Sequence, residues 1–148
     1  MAAIGNNTKY DMTYMYVNNT VFTIYLFNAT IATIAGATAQ DALTGSAFSA
    51  YNIGTSNFLA GNWTCPMYVG TPVANAVTVT NGQVFMTAKS SPPGVVIMSY
   101  GVFVGTSLAS AKMVTCGDFT APQTIPAGIP GSGTIWTVPA GSIQWTIS

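Results

Sequence analysis

The stretch Val73–Ala88, VANAVTVTNGQVFMTA, carries the strongest local fold signal in the chain. Its first arm, VTVT at 77–80, alternates Val with Thr, so that one face is apolar and the other polar, as in a half-buried strand. The Asn-Gly pair at 81–82 separates this arm from QVFMTA, and that dipeptide favours the type I′ turn of a β-hairpin. We therefore expect an antiparallel hairpin here.

Further strand signals lie on both sides of this hairpin. Runs rich in β-branched and aromatic residues, bounded by turn residues, predict strands. They are Met12–Val17, Thr20–Phe27, a possible third strand over Ala29–Ala35, Val95–Val104 with a bulge marked by Gly101, a partner over Leu108–Thr115, and short strands at Thr134–Val138 and Ser142–Ser148. By contrast, Ala35–Tyr51 is Ala-rich but contains Gly, Ser and Thr, and we predict a loop with at most one short helix.

Strands recurring every 8–12 residues, with turn signals between them, indicate an all-β fold. We predict an antiparallel β-sandwich or jelly-roll-like single domain with at most one short helix. The length of 148 residues fits one domain. We divide the chain into residues 1–11, an N-terminal arm or first edge segment, and residues 12–148, the β-sandwich domain.

Charged side chains are scarce: they make up 4% of the chain, against roughly a quarter in an ordinary soluble domain. General acid–base catalysis needs a group that titrates near the working pH, and binding to nucleic-acid phosphates needs clustered Lys or Arg. The composition therefore argues against an enzyme and against a nucleic-acid-binding protein. There is no His, Arg or Glu, and the charged residues are Lys9, Lys89, Lys112, Asp11, Asp41 and Asp118.

The hydrophobic content of 49% and the mean hydropathy of +0.45 require a test for membrane insertion. The best window, Val21–Ala39, is uncharged but interrupted by Thr, Asn and Gly, whereas a spanning helix needs about 20 predominantly apolar residues. We predict no transmembrane helix and no membrane partner. Residues 1–7 have neither the basic nor the apolar region of a secretory signal, so we expect the chain to reach its destination without that export route.

Metal, cofactor and catalytic motifs are absent from the sequence. With no His and three widely separated Asp, neither a zinc nor a calcium site is expected. Nucleophile-elbow and phosphate-binding glycine motifs do not occur. We therefore predict no catalytic residue, no metal and no cofactor. Cys65 and Cys116 either form a disulfide or are two small, semi-buried thiols, and the sequence leaves both alternatives open.

The aromatic residues, 7 Phe, 7 Tyr and 3 Trp, are the remaining candidates for function. Tyr and Trp combine a large apolar area with a polar tip and serve as anchors in protein–protein contacts. The alternative is a core of aromatic rings with a Tyr-rich rim. The candidate contact residues are Tyr10, Tyr14, Tyr16, Trp63 and Trp136.

Four segments in the C-terminal half share their pattern with a known family. They are TVTNGQVFMTA at 78–88, SYGVFV at 99–104, GDFTAPQTIPAG at 117–128 and TVPAGSIQWTI at 137–147. In this order they resemble small virion proteins of tailed bacteriophages, of the head-decoration (cement) and tail-associated kind. The resemblance spans about residues 76–148, with IPGSG at 129–133 as an extra turn, and the N-terminal half has no counterpart. That family has no catalytic residues to carry over.

The resemblance implies a structural virion protein, in the first place a decoration protein on the outer surface of the phage head that stabilises contacts between capsid subunits. Its partners would be the major capsid protein or other virion subunits, and further copies of itself in a trimer or lattice. A surface with few ions needs little desolvation when it docks, which fits an assembly component. Two alternatives stay open: a tail, fibre or extracellular-filament subunit, and a carbohydrate-binding adhesin that uses surface aromatics.

Overall fold

The computed structural model of the chain describes residues 5–39, 43–53, 59–60, 65–74, 76–88, 95–125 and 135–148. Within these ranges lie helices α1 (Asn6–Asn18), α2 (Ile31–Ala35) and α3 (Gly45–Phe48), and two 3-10 turns, Ser49–Tyr51 and Leu108–Ser110. The strands of the described part are β1 (Phe22–Phe27), β2 (Leu59–Ala60), β3 (Met67–Val69), β4 (Val77–Asn81), β5 (Val84–Ala88), β6 (Val95–Val104), β7 (Lys112–Ile125), β8 (Ile135–Val138) and β9 (Gln144–Ile147).

The strands form three antiparallel sheets of three strands each within the described ranges. Their orders are β1-β6-β7, β2-β5-β8 and β3-β4-β9. Each sheet joins strands that are distant in the sequence. The prediction of a mainly-β, antiparallel fold is confirmed.

Several strand predictions are confirmed, with shifts at the strand ends. β6 has the predicted bounds, and β1, β8 and β9 lie within the predicted runs. The predicted strand over Leu108–Thr115 is wrong in its first half, because a 3-10 turn occupies Leu108–Ser110 and β7 begins at Lys112. Gly101 does not mark a bulge, since the register shifts lie before Ser99 and after Val102.

The predicted hairpin at 73–88 is wrong, although both of its strands exist. β4 and β5 belong to different sheets, and neither Asn81 nor Gly82 has the positive φ that a type I′ turn requires. The Asn81 side chain is buried and donates to the carbonyl oxygens of Gly82 at 2.7 Å and Pro139 at 2.9 Å. Its Oδ1 accepts the Ile143 N–H at 2.8 Å. These bonds hold residue 81 in its sheet while the chain crosses to the next one.

The predicted strand Met12–Val17 is wrong, because these residues lie in the 13-residue helix α1. Side chains at i and i+4 share one helix face, and Thr13 and Val17 are the two buried residues of α1. The Thr13 hydroxyl donates to the Lys9 carbonyl oxygen at 2.7 Å. The predicted boundary between residues 11 and 12 falls inside this helix, and the division into an arm and a domain stays a prediction.

The predicted third strand over Ala29–Ala35 is also wrong, since Ile31–Ala35 forms α2. The Thr30 hydroxyl oxygen accepts the Thr33 N–H at 3.2 Å, as an N-cap does. A carboxylate from β7 adds a second cap, because Asp118 Oδ1 accepts the Ile31 N–H at 2.7 Å. With α1, α2 and α3 present, the expectation of at most one short helix is corrected.

β1 is buried along its whole length and separates two apolar cores. Side chains alternate between the faces of a strand, so Phe22, Ile24 and Leu26 lie in the first core, whereas Tyr25 and Phe27 lie in the second. The first core also contains buried residues of other strands: Met67, Val79, Val84, Ile97, Val102 and Val138. Full burial of an aliphatic or aromatic side chain contributes about 1.5–3 kcal/mol, so both cores stabilise this strand.

The second core lies against α2, α3 and the turn Leu108–Ser110. Phe27, Phe48 and Phe103 are fully buried in it. The ring centroids of Phe27 and Phe48 are 4.8 Å apart, and those of Phe48 and Phe103 are 5.3 Å apart. Such ring pairs contribute about 0.5–1.5 kcal/mol beyond their buried area.

The β6–β7 pair contains an irregularity that shapes the surface. Ile97 pairs with Gln123 and Ser99 with Asp118. Residues 119–122 of β7 therefore lie opposite the single residue Met98. A bulge of this kind bends a strand and changes where its side chains point.

Candidate interaction surfaces

Three large apolar side chains are exposed on one side of α1, beside the exposed Thr8, Asp11 and Asn18. Met12, Met15 and Tyr16 follow the i, i+3, i+4 spacing of one helix face, and they are 59%, 64% and 47% exposed. Ile147 at the end of β9 is exposed as well, and it lines a groove of about 280 Å³ together with Met12 and Tyr16. We call Met12, Met15, Tyr16 and Ile147 the α1 patch.

The three tyrosines predicted as contact residues all lie on α1, but on two of its sides. Tyr10 and Tyr14 are one turn apart, and their rings stack with centroids 5.8 Å apart. Tyr16 belongs to the α1 patch and packs edge-on against Phe22 at 5.9 Å. The three residues therefore do not form one continuous surface by themselves.

The side chains of the two predicted tryptophan contacts lie outside the described part of the chain. Trp63 lies outside the described residues. Trp136 is in β8, opposite Met86, and its side chain lies outside the description. Both stay predictions.

Sequence reasoning missed Met12, Met15 and Ile147 as surface residues. It treated Met12–Val17 as a strand, in which Met12 and Met15 would have pointed to opposite faces. The signal that could have revealed the helix is the i, i+4 spacing of the pairs Tyr10–Tyr14, Met12–Tyr16 and Thr13–Val17.

The two cysteines lie in different surroundings, and no disulfide joins them. Cys65 is buried in the first core, with its thiol 3.6 Å from the Met67 sulfur. Cys116 is half-buried and packs against the second core. Burial raises the pKa of the Cys65 thiol to about 11, which keeps this group neutral and unreactive. Of the two alternatives that the sequence leaves open, the structure therefore shows two separate thiols and not a disulfide.

A second surface feature is a cleft of about 440 Å³ beside the β7 bulge. It lies between β7 and the residues that connect β8 to β9. The centroids of the Tyr100 and Phe119 rings are 5.4 Å apart. Burial and, to a smaller degree, the neighbouring Cys116 raise the pKa of the Tyr100 phenol. We call this cleft the β7 cleft; its lining residues include Tyr100, Asp118, Phe119, Thr120, Gln123 and Ser142.

Neither surface has the residues of a metal site. Among the described residues, no three His, Cys, Asp or Glu side chains come together. In the same part of the chain, no helix is long and apolar enough to cross a bilayer. What the described surface offers is apolar contact at α1 and a mixed aromatic and polar lining at β7.

The chain was compared with protein families, curated proteins and solved structures. No family model, no curated protein and no solved structure matches it. The resemblance of its C-terminal half to phage virion proteins therefore stays a hypothesis.

Proposed function

We propose that this protein is a non-enzymatic structural subunit of a tailed-phage virion, a decoration protein that docks on the outer face of the capsid. The observation that carries the proposal is the α1 patch. Met15 is 64% exposed on a helix whose opposite side, at Thr13 and Val17, is buried. Exposed apolar surface with no structural use in the isolated chain is typical of a docking surface.

The mechanism is mainly apolar contact between the α1 patch and neighbouring capsid subunits, with the single charge of Lys9 at the edge of the same groove. Stable interfaces bury on the order of 1,000 Å² or more, and apolar area contributes about 25 cal/mol per Å² before the costs of association. Few ions must be desolvated, because only 4% of the chain is charged. A trimer or lattice would multiply modest contacts.

We also propose that the sheets assemble as a β-sandwich of the jelly-roll kind. The support is the first core, in which Ile24 and Val102 of one sheet pack together with Val79 of a second and Val84 of the third. A rigid framework of this kind would present α1 at a fixed angle to the shell.

The experiment measures two quantities: binding of the purified chain to emptied capsids of a tailed phage, and the temperature at which those capsids break with and without the bound chain. We expect binding and a higher disruption temperature. The double variant Met12→Ser/Met15→Ser should weaken binding about tenfold or more, because it removes two apolar anchors. Phe85→Ser is the matched control, since Phe85 is 56% exposed and lies outside the α1 patch.

Two outcomes would contradict the proposal. One is wild-type protein that neither binds capsids nor changes their disruption temperature. The other is a double variant that binds like Phe85→Ser. Polymerisation of the purified chain without any shell would instead favour a tail, fibre or filament subunit.

A further inference from the structure

Asn81-Gly82 is the one Asn-Gly pair in the sequence, and this dipeptide is chemically labile. Asn is among the thermolabile residues of proteins, and it reacts most readily before Gly, where no Cβ atom shields the next backbone nitrogen. That nitrogen attacks Cγ of the Asn side chain and forms a C–N bond. The side-chain nitrogen takes up the proton of the Gly N–H and leaves as ammonia, and water then opens the five-membered ring to aspartate or isoaspartate.

The native structure holds the reacting side chain in three hydrogen bonds. Asn81 Oδ1 accepts the Ile143 N–H at 2.8 Å. Nδ2 donates to the carbonyl oxygens of Gly82 at 2.7 Å and Pro139 at 2.9 Å. Because these bonds fix both atoms of the amide, the side chain cannot rotate towards the attacking nitrogen while they are in place.

The attacking nitrogen is restrained as well. The Gly82 N–H donates to the Pro66 carbonyl oxygen at 2.6 Å, and the Asn81 carbonyl oxygen accepts the Gly141 N–H at 2.8 Å. The peptide group between residues 81 and 82 is therefore fixed at both ends, and both residues are buried. Ring closure needs a free backbone nitrogen and a rotated side chain, so it requires local unfolding at the end of β4.

The same contacts explain why the fold uses this labile pair. A Cβ atom at Gly82 would stand 2.7 Å from the Tyr68 ring and 2.9 Å from Pro66, so a larger residue would displace both side chains. An aspartate at position 81 would lack the two donated bonds, since a carboxylate only accepts, and it would bury an unpaired charge. Isoaspartate would lengthen the backbone and disturb the register of β4.

We propose that Asn81-Gly82 is a self-modification site that the native fold protects: it deamidates when the end of β4 opens, and the product does not regain the native structure. Chemical modification of the unfolded chain makes unfolding irreversible, so a copy that stays open is lost permanently. None of the residues involved belongs to the α1 patch, and the inference is independent of the docking proposed above.

The test incubates the full chain at mildly alkaline pH, with and without denaturing urea, and measures conversion of Asn81 by peptide mass spectrometry after acidic digestion. We expect conversion to be at least about a hundredfold slower in the native chain, because only the rarely populated open state reacts. After urea is removed, the fraction of chains that refold should fall in step with the fraction that is deamidated.

Two variants isolate the effect of the product. Asn81→Asp should refold poorly or melt well below wild type, whereas Asn7→Asp makes the same change at an exposed position of α1 and should melt close to wild type. The proposal is overturned if native and urea-unfolded chains convert at similar rates, if the deamidated chain regains the wild-type melting temperature, or if Asn81→Asp is as stable as Asn7→Asp.

Discussion

The Ile143 backbone N–H donates a hydrogen bond to Asn81 Oδ1 at 2.8 Å, and both residues are buried. The Asn81 side-chain Nδ2 donates to the Gly82 and Pro139 carbonyl oxygens. One side chain thus connects the end of β4, the crossing to the next sheet and the approach to β9.

We expect Asn81→Ala to lower the free energy of unfolding by about 2 kcal/mol, because it leaves the N–H of the buried Ile143 without its hydrogen-bond partner. Urea denaturation followed by circular dichroism measures the loss. The control is Gln144→Ala, at an exposed position of β9, which should stay within about 0.5 kcal/mol of wild type. Equal stability of the two variants would show that the Asn81 network contributes little.

The buried aromatic cluster gives a second prediction. Phe48 is fully buried between Phe27 and Phe103, and Phe48→Ala should cost about 3–5 kcal/mol through lost contacts and a cavity. Phe85→Ala, at an exposed position, should cost about 0.5 kcal/mol or less. Denaturation midpoints of the two variants check the difference, and similar midpoints would mean that the second core is not packed as described.

Gly45 gives a third prediction, because the start of α3 lies directly against the turn Leu108–Ser110. A Cβ atom at Gly45 would overlap the Leu108 carbonyl group. Since backbone cannot move aside cheaply, Gly45→Ala should destabilise the fold by about 3 kcal/mol or fail to fold. Gly5→Ala is the control, because a Cβ there meets no atom within 4 Å. Thermal melting of both variants tests this, and an unchanged melting temperature for Gly45→Ala would contradict it.

The fourth prediction concerns pH. Burial raises the pKa of Cys65 to about 11, above the roughly 8.5 of a solvent-exposed thiol. As the pH rises between these two values, the unfolded chain loses the proton and the folded chain keeps it, so the stability falls. The stability difference between wild type and Cys65→Ala should therefore shrink by about 1–2 kcal/mol from pH 8 to pH 10. A constant difference in urea denaturation at the two pH values would contradict this.

The strands that were predicted correctly are those whose own residues, by an apolar run or by alternation of apolar and polar side chains, already indicate a strand. Val95–Val104 is a long apolar run between turn residues and is β6 with the same bounds. In the predicted strand Ser142–Ser148, the apolar residues alternate with polar ones, and Ile143 is buried while Gln144 and Thr146 are exposed; only at its end does the pattern fail, because Ile147 is exposed. Such patterns need no information about distant parts of the chain.

The errors arose where distant contacts decide the local structure. Asn81-Gly82 is a strong turn signal, yet the bonds to Pro139 and Ile143 hold Asn81 in a strand. Thr30–Ala35 is rich in β-branched residues, but Asp118 caps it as a helix from 87 residues further along the chain. The α1 patch was missed because its helix was predicted to be a strand, and no local pattern of residues 119–122 predicts the irregularity in the pairing of β6 with β7.

The pairing of β1 also constrains how this protein is made. Phe22 pairs with Val104 and Phe27 with Ser99. The β1 segment therefore cannot enter its sheet until the residues of β6 have been synthesised. While the ribosome is still translating the middle of the chain, the FTIYLF segment has emerged without its sheet partner and is open to aggregation. Folding of such non-local topologies is slow, so the period in which this segment lacks its sheet partner is prolonged.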